Sequence, residues 1–213
     1  GIKMKIIECV PNISEGKNKS IISKITSELE SNSNITLLDV DSGYDTNRTV
    51  ISFSGNPEYV IEASFNLIKM SSELIDLNHH IGTHARMGAT DVCPLVPISN
   101  VSMKECVEYS KILAKKVSTE LNIPVFLYEQ SASHPERVNL ANIRSGEFEG
   151  MGDKIKLLSW KPDYGPNNIH STAGTIAIGA RNFLVAYNIN LNTKDKKIAT
   201  DIALDIREAG RAK

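Results

Sequence analysis

Hydrophobic and polar positions alternate along this chain with two periods, and the switches between them lay out its elements. Residues 6–10 read as a strand, followed by the polar turn Pro11-Asn12-Ile13-Ser14-Glu15-Gly16. Ile21, Ile22, Ile25 and Leu29 then recur at the spacing of one helix face. Residues 35–40 read as a buried strand, with Asp39 and Asp41 at its end. Past the turn Ser42-Gly43-Tyr44-Asp45-Thr46-Asn47, residues 48–54 alternate as a second strand, with Val50, Ser52 and Ser54 on one face and Ile51 and Phe53 on the other. Gly55-Asn56-Pro57-Glu58 starts a helix with proline in its first turn, and Ile61, Phe65, Ile68 and Ile75 line its apolar side.

Residues 92–98 form a further strand, which Pro94 and Pro97 assign to an edge or a bulge because proline cannot donate to a ladder. A third long helix spans 102–121, a short strand 125–128 and a short helix 138–145; strands at 175–178 and 183–189 and an amphipathic helix at 194–209 follow. Strand pairs interleaved with helices favour a mixed sheet over a doubly wound parallel one. The predicted class is α/β (α+β): a ferredoxin-like mixed sheet with helices on one face over about the first 125 residues, followed by the start of a second similar lobe. The division falls at 1–180 and 181–213.

Composition narrows the function classes. Of 213 residues, 41% are hydrophobic and 23% charged, as in an ordinary globular chain. A net charge of −1 provides no bulk field to draw in nucleic acid or an anionic membrane, so neither is expected as a partner. Any anionic ligand must then be met by individually placed arginines. Cys9, Cys93 and Cys106, odd in number and far apart, read as buried free thiols of a cytoplasmic protein. No apolar run reaches the roughly 18 residues of a membrane span. Gly1-Ile2-Lys3 ahead of Met4 reads as a remnant before the natural start.

The candidate chemistry concentrates in His79-His80-Ile81-Gly82-Thr83-His84-Ala85-Arg86-Met87-Gly88-Ala89-Thr90-Asp91, which holds three of the five histidines in a segment too broken by glycine to be a helix. Imidazole titrates near neutrality and passes protons either way. His84, bracketed by Gly82 and Gly88, is the candidate catalytic base, with Asp41 the carboxylate that would orient it. Arg48, Arg86 and Arg181 each lie in or beside a loop near glycine or asparagine and are the candidate substrate-binding cations, since guanidinium forks suit a dicarboxylate or a glutamyl tail. A metal hydrolase is the competing reading, from His80 and His84 with Asp91 or Cys93; Gly82 argues against the helix that spacing needs and no Glu follows His80, so no metal ligand is assigned. The segment Gly165-Pro166-Asn167-Asn168-Ile169-His170-Ser171-Thr172-Ala173-Gly174 is either a surface connection or the amide lining of a pocket for a planar heterocycle.

Together these segments resemble the formiminotransferase family, the glutamate formimidoyltransferases of histidine breakdown. The resemblance rests on residues 8–16, Leu38-Asp39-Val40-Asp41, Asn47-Arg48-Thr49-Val50, residues 82–97, Ile143-Arg144-Ser145-Gly146-Glu147, residues 160–166 and residues 179–190, in order along nearly the whole chain. It implies that His84 is the catalytic histidine, that residues 165–174 bind folate, and that two similar α/β lobes hold substrate between them. The implied reaction moves a formimino group from N-formimino-L-glutamate to tetrahydrofolate, a co-substrate, with no metal. The family usually has proline where this chain has Ala85, and the folate segment offers no ring beyond His170. Only the first strand and helix of the second lobe are legible, with no cyclodeaminase domain. Alternatives are a non-catalytic or partner-dependent folate-binding fragment and a formyl transferase; the unpaired strand at 183–189 predicts a homo-oligomer or a second-lobe partner.

Overall fold

The computed structural model describes residue 1 and residues 3–184. Its frame is a seven-stranded mixed sheet. The first strand, β1 (Ile6–Cys9), is followed by β2 (Asn12–Ile13), which lies inside what reads in the sequence as a polar turn. These two share one line in the sheet, each pairing antiparallel with β4 (Arg48–Gly55) on one side and β5 (Thr90–Ser99) on the other. Outside β4 lies β3 (Ile35–Gly43), antiparallel to it. Beyond β5 come β7 (Ile176–Ala180) and then β6 (Val125–Glu129), in parallel register. β1, β3, β4 and β5, with the helices between them, make the expected ferredoxin-like unit, since β4 slots between β1 and β3 and so splits the first strand-helix-strand connection.

Each long helix starts where the sequence supplies a cap. Helix α1 (Lys19–Ser31) has Asn18 accepting from the amides of Ser20 and Ile21, and buries Ile22, Ile25 and Leu29. Helix α2 (Pro57–Leu74) has Asn56 as its cap and Pro57 in its first turn. Helix α3 (Met103–Leu121) opens on a capping box between Ser102 and Glu105, worth about 1 kcal/mol, and ends at Asn122 in the left-handed region. All three pack on one sheet face, where Ile7, Cys9, Ile51, Phe53, Leu95 and Ile178 meet Leu29, Val60, Leu67, Ile68, Leu113 and Val117. Burying each such side chain contributes roughly 1.5–3 kcal/mol. The three cysteines are free and buried there, with the Cys9 and Cys93 sulfurs 3.4 Å apart.

Among the described residues, the other face is covered over part of its width. Helix α4 (Leu140–Arg144), capped by Asn139, and α5 (Glu147–Lys154) sit over the β5–β7–β6 side, where Val92, Phe126, Tyr128 and Ala177 meet Ile143 and Met151. The short helix expected at 138–145 is therefore confined to α4, and α5 was not expected: its first turn follows Gly146 at φ +91°, a break that reads in sequence as a terminus. The long helices do lie on one face, as expected, but a small second layer lies on the opposite one.

Of the two placements expected for β5, the bulge holds and the edge does not: the strand is central, hydrogen-bonded on both sides, with a register shift against β1 at Pro97. Its prolines are tolerated locally. Pro94 stands opposite the break between β1 and β2, its carbonyl accepting from Val10, and Pro97 lies beside a register shift and beyond the last residue that β7 pairs. Of the strand expected at 183–189, Phe183 and Leu184 are in no strand; its remainder and the helix at 194–209 lie outside the described residues.

Candidate active site

The site is assembled at one end of the sheet, where β1 runs into β2, the β3–β4 hairpin turns, and β5 and β7 begin. The hairpin turn is held by Asn47, a buried residue at φ +51°. Its side-chain oxygen accepts from the Gly16 amide (2.8 Å), its side-chain nitrogen donates to the Ile81 carbonyl (3.0 Å), and its own carbonyl accepts from His80 Nε2 (2.8 Å). Asparagine tolerates the left-handed conformation, so one residue ties three segments together. The Thr83 amide donates to Asp45 (2.9 Å), which fixes the loop carrying His84 against the hairpin.

That loop is ordered further by His80. Buried, it donates from Nε2 to Asn47, while Nδ1 accepts from Arg86 Nε at 2.9 Å. Both roles require a neutral ring, and burial lowers its pKa accordingly. With both ring nitrogens committed, His80 has no lone pair for a metal, and Cys93 sits on the helix-covered face. Among the described residues, no group of three or more His, Cys, Asp or Glu side chains is placed to hold a metal. Arg86 is engaged as well: its two terminal nitrogens pair with the Glu149 carboxylate at 2.8 and 2.7 Å, and Nη1 lies 3.4 Å from Glu147. The Glu149 carboxyl is held down to about 2 by that bond. Arg86 therefore fastens the loop to α5, and its fork is occupied.

His84 itself is half-buried. Its Nδ1 lies 2.6 Å from the Ala85 carbonyl. A carbonyl only accepts, so Nδ1 carries a proton, and in the neutral ring the lone pair is therefore on Nε2. Asp41, proposed from sequence as the group that orients this ring, is exposed on β3 opposite Val50, and among the described residues makes no hydrogen bond to His84. The backbone carbonyl of the next residue takes that role. A residue with a rigid neighbour needs no carboxylate to fix its tautomer.

The 165–174 segment packs directly against the loop. His170 and Gly174 exchange backbone hydrogen bonds at 2.9 Å, closing a tight turn, and His170 Nδ1 accepts from the amides of Thr172 and Ala173. Leu77 and Asn78 donate to Thr172 and Ser171 on one side of the loop; Ala89 donates to Ala173, and Thr175 to Met87, on the other. Gly88 and Gly174 are the points of closest approach: a Cβ on Gly88 would lie 1.9 Å from the Thr175 carbonyl, and one on Gly174, at φ +68°, 2.2 Å from that of Met87.

Arg48 and Arg181, grouped in the sequence reading, are far apart. Arg48 is buried, with Nε on Asn12 Oδ1 (3.1 Å) and Nη1 on Asp91 (3.1 Å). The Arg181 amide bonds the Leu95 carbonyl, four residues along β5 from Asp91, roughly 13 Å at strand spacing. Its guanidinium donates from Nη1 to the Asn182 carbonyl at 3.2 Å, and its charge favours ionisation of Glu8 and Tyr128. Glu8 is buried on β1, and burial, opposed by Arg181, pushes its carboxyl up to about 7.

Two contributors were not assigned from sequence. Asn47 carried a signal, being an asparagine before a strand in a polar turn. Arg144, at the end of α4, lay in one of the segments that carry the family resemblance, but nothing local pointed to its partner Asp91, 53 residues away in sequence.

An imidazole with Nδ1 held by a carbonyl and with Nε2 making no hydrogen bond among the described residues, on a loop tied down from both sides, is suited to moving protons at a bound substrate. Comparison with known proteins gives the kinship. The profile of the formiminotransferase domain, N-terminal subdomain, matches residues 6–181. A glutamate formimidoyltransferase of Streptococcus pyogenes serotype M1 is 50% identical over 206 residues, 97% of this chain and 69% of that protein. One of Thermoplasma acidophilum is 42% identical, over 96% of this chain and 68% of its own. A formimidoyltransferase-cyclodeaminase of Dictyostelium discoideum is 48% identical, over 97% of this chain but 38% of its own length. The chain belongs to the formiminotransferase family, a family of transferases.

Proposed function

We propose that this chain carries the catalytic half of a transferase that moves a formimino group from N-formimino-L-glutamate to N5 of tetrahydrofolate. The observation that carries the reading is the state of His84: Nδ1–H fixed on the Ala85 carbonyl, Nε2 without a hydrogen bond among the described residues, and the loop joined to residues 165–174. The relatives that share this chain's sequence bear the name of that activity. In the reaction, the acceptor amine attacks the formimino carbon and a tetrahedral intermediate forms. His84 Nε2 removes the proton from the attacking nitrogen. The resulting imidazolium then returns it to the glutamate nitrogen as the carbon–nitrogen bond breaks and glutamate leaves. Residues 165–174 would seat the folate, with the amides of a turn already tied to the catalytic loop. Arg48 would take a substrate carboxylate at the loop, and Arg181, beyond the reach of that group, the acidic tail of the folate.

The test is a spectrophotometric assay of the protein with formiminoglutamate and tetrahydrofolate, run in parallel with a formyl donor. Formimino transfer that drops on the order of a hundredfold or more in His84→Ala, with folate binding retained, is the expected result. Full activity of that variant overturns the role of His84, and transfer from the formyl donor alone overturns the substrate.

A further inference from the structure

The most unusual electrostatic feature of the molecule is a single buried carboxylate shared by two guanidiniums. Asp91 is fully buried. Its Oδ1 accepts from the Met87 and Gly88 amides, at 2.6 and 3.3 Å. Its Oδ2 accepts from Arg48 Nη1 at 3.1 Å and from Arg144 Nε at 2.8 Å, with Arg144 Nη2 in ion-pair contact at 2.5 Å. Four hydrogen bonds on two oxygens fill its accepting capacity. The group of three still holds two positive charges and one negative, with the arginine side chains only 9% and 13% exposed. Burial lowers the Arg48 pKa, Asp91 opposes that shift, and the Arg144 charge lowers it further. The neighbouring carboxylates do not relieve it, since Glu147 and Glu149 are bound to Arg86. Among the described residues, Arg48 Nη2 and Arg144 Nη1 make no hydrogen bond.

From this geometry we infer that Arg48 and Arg144 form a carboxylate-binding clamp for the glutamyl donor, with Asp91 as the positioning residue that holds both forks and links them to the His84 loop. The inference rests on the reading of the chain as a glutamate formimidoyltransferase and adds to it the donor's anchor. Asp91 is chemically suited to both tasks. It holds Arg144 through its Nε–Nη2 edge and Arg48 through Nη1, with Asn12 taking Arg48 Nε, so that Arg144 Nη1 and Arg48 Nη2 are left for a planar anion, and through the Met87 and Gly88 amides it sets the loop that presents His84. A carboxylate arriving there restores neutrality to a buried site, which a neutral ligand does not. The identity of the residues matters as well: a lysine at 144 would keep the charge but not the fork.

The test is calorimetric titration of L-glutamate, the expected product, into the protein and its Arg144→Gln and Arg144→Lys variants. γ-Aminobutyrate, lacking the α-carboxylate, and L-glutamine, lacking the γ charge, serve as comparison ligands. Folate affinity and melting temperature are measured on the same samples. The wild-type protein is expected to bind glutamate and to prefer it to both analogues. Arg144→Gln weakens glutamate about tenfold or more and abolishes the preference over one analogue, Arg144→Lys weakens it less, and folate affinity stays unchanged. Undiminished glutamate binding and discrimination in both variants overturns the clamp while leaving the transferase reading intact. A wild-type protein that binds folate but no glutamate overturns both. Should Arg144→Gln fail to fold, Arg144→Lys decides alone.

Discussion

The position of His84, and with it the proton transfer proposed for it, depends on neighbours with no part in that step. Asn47 is the clearest case: an exposed turn asparagine is dispensable, but this one is buried at positive φ and joins the hairpin, the Gly16 turn and the His80 ring. Asn47→Ala removes both side-chain bonds and keeps the strained backbone. It is expected to destabilise the protein by about 2–4 kcal/mol, read from urea unfolding, and to lower turnover more than folate affinity. Much of this site was legible in the sequence. Three histidines between glycines are an uncommon grouping, and His84 stands where that grouping suggested. What was not legible was how the cations divide. Arg48, Arg86 and Arg181 look equivalent as residues beside loops, yet one sits on Asp91, one is consumed by Glu149 and one lies at the other end of β5. Such assignments depend on contacts across tens of residues, which periodicity does not encode.

The elements themselves were more readable than their order in the sheet. Capped helices with an apolar stripe, such as α1 and α3, announce both their start and their buried face. Strands announce only their faces, so β5, rich in proline, looked peripheral although partners flank it on both sides. Short pieces such as β2 and α5 have too few residues to establish a period. The coupling of the His84 loop to the 165–174 turn is likewise an element-level property, and it rests on glycine. Gly88→Ala would drive a methyl into the Thr175 and Thr90 carbonyls. We expect a loss of roughly 3 kcal/mol or more, visible as a lowered urea midpoint, and loss of folate binding with it. His170 offers a milder probe. Its Nδ1 caps the turn, so His170→Ala should weaken folate binding, and His170→Asn, which retains an acceptor near the same amides, should recover part of it. Equal losses in the two variants would show that the ring, rather than the cap, meets the ligand.

At the scale of the whole molecule, two sets of groups make opposite demands on pH. Glu8 has its pKa raised to about 7 in the fold, so its contribution is full below the unfolded value near 4.3 and is lost as pH rises through 7. His80 and Glu149 have lowered values. Each contributes above its unfolded value, near 6.5 and 4.3, and loses that contribution as pH falls toward its folded one. Glu149 counts for less because it is largely exposed. Stability against urea should therefore peak on the mildly acidic side of neutrality, and Glu8→Gln should flatten the alkaline limb without moving the acid one. A wild-type alkaline limb retained in that variant would assign it to another group. The small layer over β5–β7–β6 has a separate consequence, because it contains the chain's one tryptophan. Trp160 stands edge-on to Phe126 at 6.2 Å, with Lys154 4.2 Å and Arg137 5.5 Å from its ring. Intrinsic fluorescence of this protein thus reports on α4, α5 and their neighbours, while circular dichroism is dominated by the three long helices on the opposite face. Arg144 lies on α4 and Arg86 is bonded to Glu149 of α5, so emission and ellipticity, recorded together through a melt, separate opening of the layer beside the candidate site from collapse of the core.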